Sequence, residues 1–68
     1  MGVYEVIVSV KTERTVVVAG NATIKDNEHQ GKYYSDAEMK AMVEACSLVG
    51  GQLDDAEILN IKTIEGEN

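Results

Sequence analysis

One histidine, one cysteine and twelve carboxylates are the side chains through which this 68-residue chain could do chemistry. General acid–base catalysis wants a histidine or a carboxylate pair held in a cleft. His29 sits in a polar stretch with no partner at any spacing that local structure would bring beside it, and it reads as a solvated loop histidine. Cys46 falls on an apolar helical stripe, where a small core residue is expected rather than a nucleophile, which needs a base and exposure. With no second cysteine, an intramolecular disulfide is excluded and a reducing cytoplasm is expected. Asp26 to Gly31 has the sixth-place glycine of a calcium loop, but the twelfth place is Ala37 where a bidentate carboxylate is required. Asp54-Asp55-Ala56-Glu57 reads as a solvated acidic turn rather than a cation site. Asn21-Ala22-Thr23 matches a glycosylation sequon, but no secretory leader precedes it. There is no glycine-rich phosphate loop, and Tyr33-Tyr34 lacks the basic surround of a base-stacking platform. The expectation is a non-enzymatic chain with no catalytic residue, no metal and no cofactor.

The elements around these residues follow from periodicity. Residues 3–11 alternate as a strand, with Tyr4, Val6, Val8 and Val10 on a core face and Val3, Glu5, Ile7, Ser9 and Lys11 on the other. Thr12-Glu13-Arg14 suits a hairpin connection to a second strand reaching Lys25, bent at Gly20-Asn21. After a polar loop from Asp26 to Lys32, Tyr34-Ser35-Asp36-Ala37-Glu38-Met39 carries an N-cap at Ser35, a capping box through Glu38 and a hydrophobic staple from Tyr34 to Met39. The helix spans 36–49 and stops at Gly50-Gly51. Met39, Met42, Val43, Cys46 and Val49 form its main apolar stripe, and Ala37, Ala41, Ala45 and Leu48 a second flank. Residues 56–64 read as the last strand, with Ile58 and Ile64 on the opposite face from Leu59 and Ile61, and residues 65–68 as an acidic tail.

The whole chain, 1–68, is therefore one α+β domain of order β-β-α-β: hairpin 3–25, helix 36–49, strand 56–64. A right-handed crossover makes the third strand parallel to the second with the first between them, an antiparallel sheet of order 2-1-3 with one helix on one face. The uncovered face would hold Val3, Ile7, Val17, Ala19, Ile58 and Ile64, an apolar patch that monomers seldom leave open. A homodimer through Val3, Ile7, Val17, Ile58 and Ile64, or through the alanine flank, is the expectation.

Charge narrows the function classes. Six basic against twelve acidic side chains give a net charge of −6, which argues against direct nucleic-acid binding. No apolar run can span a bilayer. Residues 1–34 carry four acidic and four basic side chains; residues 35–68 carry eight acidic and two basic. The acidic set is Asp36, Glu38, Glu44, Asp54, Asp55, Glu57, Glu65 and Glu67. If these converge, carboxylates stand where DNA phosphates would stand and occupy the groove of a basic DNA-binding protein. If they do not, acidity serves solubility and the chain is an adaptor working through its apolar sheet face. In size, acidity and architecture, with a hairpin, one capped helix from Ser35 to Val49 and a last strand from Ala56 to Ile64, the chain resembles small host-takeover proteins of lytic bacteriophages. In particular it resembles the acidic inhibitors of the histone-like nucleoid protein HU. That resemblance implies a DNA-mimic inhibitor in the cytoplasm of a host bacterial cell; it carries no residue over by position.

The cap makes a first prediction. Ser35→Ala removes the acceptor for the first helical turn and should lower stability by about 1 kcal/mol, a drop in Tm of about 4–8 °C by calorimetry or circular dichroism.

Overall fold

The computed structural model describes residues 1–66. Its elements are β1 (Gly2–Ser9), β2 (Glu13–Gly20), β3 (Asn27–His29), β4 (Lys32–Tyr34), α1 (Asp36–Val49), a 3-10 turn (Leu53–Asp55) and β5 (Glu57–Glu65). β2, β1 and β5 form an antiparallel sheet in that order, with α1 on one face: the α+β, 2-1-3 arrangement that the strand pattern implies. The connection between β1 and β2 is Val10–Thr12, two positions earlier than the polarity of Thr12-Glu13-Arg14 suggests.

β1 alternates in full register with its burial: Tyr4, Val6 and Val8 are closed off from solvent, while Val3, Glu5, Ile7 and Ser9 are half-buried. In β2, Val16 and Val18 face the same core. The chain leaves the sheet at Gly20 rather than continuing to Lys25. The side-chain oxygen of Asn21 accepts from the backbone N–H groups of Thr23 and Ile24 at 2.8 and 2.9 Å, a local turn that competes with strand pairing and leaves Ile24 exposed.

The helix begins as its sequence dictates. Glu38 N–H donates to Ser35 Oγ at 3.2 Å and Ser35 N–H donates to Glu38 Oε1 at 2.8 Å, so both halves of the capping box are present and both residues are buried. Ala37 N–H donates to the Asn21 carbonyl at 3.0 Å and Lys40 Nζ to the Ala19 carbonyl at 2.9 Å, which pins the helix start to the end of β2. At the other end Gly50 adopts φ 67°, the left-handed cap that glycine enters without penalty.

Two expectations about apolar faces are corrected. The helix turns to the sheet a face drawn from both apolar sets: Ala37, Ala41 and Ala45 of the flank are fully buried beside Met42 and Cys46 of the stripe, whereas Val43 of the stripe and Leu48 of the flank are more than half exposed and Met39 is half-buried. The three alanines of the flank are thus core and unavailable to a dimer, and only Leu48 of that flank reaches the surface. Hydrophobicity cannot choose between two apolar flanks, but volume can. Tyr4 and the valines of β1 and β2 already fill the layer, and only a row of methyl groups lets the backbone settle onto them. In β5, Val8 pairs with Ile58 and Ile7 with Asn60, so Leu59 is an extra residue. This bulge shifts the phase of the strand and turns Ile58 and Ile61 toward the helix side, where both pack on the core; Ile58 is therefore not on the open face. A second irregularity between Val3 and Tyr4 leaves Ile64 unpaired and half exposed.

Residues 26–34 are not a plain loop. β3 and β4 form a hairpin in which Asn27 faces Tyr34 and His29 faces Lys32. Gln30 and Gly31 at its tip both have positive φ, 52° and 79°, the signature of a primed two-residue turn.

The packed helix face is testable. Ala41→Leu forces an isobutyl group into the helix–sheet layer and should cost about 1–3 kcal/mol, whereas Val43→Ala on the outer face should change stability by less than about 0.5 kcal/mol. Thermal unfolding of both variants checks the pair.

Candidate functional site

The open face of the sheet is built from the residues of β1 and β2 that alternate with the core set. Register places Val3 beside Ala19, Glu5 beside Val17 and Ile7 beside Thr15. On the other side Glu5 faces Lys62 and Ile7 faces Asn60. The apolar part, Val3, Ile7, Val17 and Ala19, is thus concentrated on β1 and β2 around Glu5, with Thr15 at one end and polar residues along β5. Val17 is 56% exposed, and among the described elements α1 covers only the opposite face of the sheet. Of the expected interface residues, Val3, Ile7 and Val17 lie together here, Ile58 lies in the core, and Ile64 stands at the bulge.

The acidic set does not come together. Glu38 is 7% exposed, holds the Ser35 N–H and lies 3.6 Å from Lys25 Nζ, so it stabilises the helix start rather than presenting charge. Asp36 accepts from Asn27 Nδ2 at 2.8 Å, and Glu44 lies on the outer helix face beside Lys40. Asp54, Asp55 and Glu57 cluster where β5 begins. Glu65 is at the far end of the same strand, about 25 Å away for a regular strand. Glu67 lies outside the described residues.

His29 is half-buried, not a solvated loop residue. Its Nε2 lies 3.0 Å from Asp54 Oδ1, joining the β3–β4 hairpin to the 3-10 turn. The approach is short but misaligned: among the described residues this buried nitrogen makes no hydrogen bond. The two residues border a polar cleft of about 200 Å³ with Lys32, Tyr34, Asp55 and Glu57. That volume is below the size of ordinary small-molecule sites. No group of three or more His, Cys, Asp or Glu side chains among the described residues is placed to hold a metal ion. A shallower groove of about 440 Å³ runs along the outer helix over Met39, Val43 and Ser47.

Cys46 is 8% exposed, as its place in the helical repeat implies. Burial, and secondarily the Asp55 carboxylate, push its thiol above the ordinary cysteine value. No helix of the described residues is long and apolar enough to cross a membrane. The chain matches no protein-family model, no curated protein and no solved structure.

Because the folded chain holds the Cys46 thiol protonated more firmly than the unfolded chain does, the stability it contributes is present at neutral pH. That contribution declines as alkaline pH ionises the unfolded thiol. Alkylation of native protein at pH 8 should therefore be at least tenfold slower than in denaturant, and Cys46→Ala should flatten the alkaline fall in Tm; pH-dependent unfolding with a thiol-reactive probe measures both.

Proposed function

We propose that this chain is a non-catalytic protein-binding module whose docking surface is the open face of the sheet, centred on Ile7 and Val17. The observation that supports this is the layering itself: one helix covers one face, and the other presents Val3, Ile7, Val17 and Ala19 around Glu5, with Lys62 and Asn60 beside them on β5. Exposed apolar side chains gathered on one face mark a protein contact, and Glu5 among them offers a polar anchor to the partner. In this reading the partner carries a matching apolar surface, the net charge of −6 keeps the unbound module dispersed, and the free thiol suits the bacterial cytoplasm.

A second reading has its own observation. Asp54, Asp55 and Glu57 form an anionic group at one end of the sheet, and this end could take the place of DNA phosphates on a basic protein such as the histone-like nucleoid protein HU. The separation of Glu65 from this group, the burial of Glu38 and the interleaved Lys40 and Lys62 weigh against an extended phosphate-like row.

The two readings respond oppositely to salt and mutation. Capture of a partner from a bacterial lysate by the immobilised chain should survive 0.5 M salt and fall at least tenfold with Ile7→Asp. It should persist when Asp54, Asp55 and Glu57 are all changed to Lys. Loss of capture at high salt or in the triple variant, together with displacement of DNA from HU by the wild-type chain at low salt, would instead establish the mimic.

A further inference from the structure

The two outer strands of the sheet have unequal edges. β5 is broken by the extra residues Leu59 and Ile64 and carries Glu57, Lys62 and Glu65, all devices that keep a strand edge from pairing with another chain. β2 has none of these between Thr15 and Ala19. It runs in unbroken register with β1, contains no proline, and among the described residues has no strand on its outer side. Its cations stand at its two ends: Arg14 lies where the strand begins, and Lys40 donates to the Ala19 carbonyl where it finishes.

Its sequence is also self-complementary. Turning Thr15-Val16-Val17-Val18-Ala19 about Val17 sets Val16 against Val18, Thr15 against Ala19 and Val17 against itself. That register keeps face with face: Val16 and Val18 lie on the helix side in both copies, and Thr15, Val17 and Ala19 on the open side in both. Arg14 comes opposite Gly20, where there is no side chain to meet it. We infer that two copies of this chain join edge to edge through antiparallel β2 strands centred on Val17, making a six-stranded sheet. The joined sheet would carry one continuous open face, because Val17 and Ala19 sit on the joining strands. This inference uses the strand edge and stands independently of what docks on the face.

Cross-linking separates this pairing from the others. In a Cys46→Ala background, Val17→Cys brings two thiols together at a two-fold pair, where Cα atoms lie about 4.5–5.5 Å apart, within disulfide reach. Thr15→Cys leaves like thiols four positions out of register, about 13 Å, and Ile7→Cys leaves them three strand spacings apart and four positions out of register, about 19 Å. All three positions are on the open side, so the substitutions leave the core intact. Under mild oxidation the Val17→Cys chain should shift to a species of twice 7.4 kDa at least tenfold faster than either control, and Thr15→Cys/Ala19→Cys should do the same. Faster linking of Ile7→Cys would mean face-to-face packing and overturn the proposal; so would equal, slow linking of all variants. Ile7→Asp that loses partner capture while Val17→Cys still cross-links would locate the failure in the face and not in the edge.

Discussion

The packing of a row of alanine methyl groups onto a valine-rich sheet face is the contact on which the rest of the molecule depends. A chain of this length builds one hydrophobic core and no second. Here that core is the single layer between α1 and the inner face of β2, β1 and β5. The helix can approach only because Ala37, Ala41 and Ala45 are small where Tyr4, Val6, Val8, Val16 and Val18 are large. Met42 alone inserts a long side chain, and it is almost fully buried. Everything outward follows from this choice: with the alanines inward, Val43 and Leu48 turn toward solvent, and with one helix among the described residues, one sheet face stays uncovered.

The ends of the layer are fixed by polar contacts rather than by bulk. The capping box of Ser35 and Glu38 and the bond from Ala37 N–H to the Asn21 carbonyl hold one end, and the glycine cap at Gly50 closes the other. His29 and Asp54 connect the small hairpin to the turn that leads into β5. These contacts consume side chains that would otherwise read as surface charge, Glu38 above all. The acidity of the second half of the chain is thus partly structural and partly dispersed.

Much of this was legible in the residue order. The strict alternation from Val3 to Ser9 predicts both faces of β1, and Ser35 to Glu38 announces the helix start to the residue, because both are local effects. The face of the helix was not legible, since apolar flanks of similar hydrophobicity are separated only by the volume left on a sheet formed from distant residues. The inward turn of Ile58 was hidden because one bulge at Leu59 reverses a two-residue period. The β3–β4 hairpin lacks an Asn-Gly or Asp-Gly turn, and Gln30 takes the positive φ that asparagine would have advertised. The approach of His29 to Asp54 joins residues far apart in the chain, beyond what spacing can show. That Val3, Ile7 and Val17 share one face follows from alternation alone, whereas convergence of the carboxylates depended on tertiary placement.

One face of this sheet is core, and among the described residues the other is left open to solvent. The most direct measurement is methyl-resolved NMR with a soluble paramagnetic probe on the dilute chain. Strong broadening is expected for the Ile7 and Val17 methyl signals and little for those of Val6, Val8 and Met42. Ile7 as well protected as Val6 would contradict it.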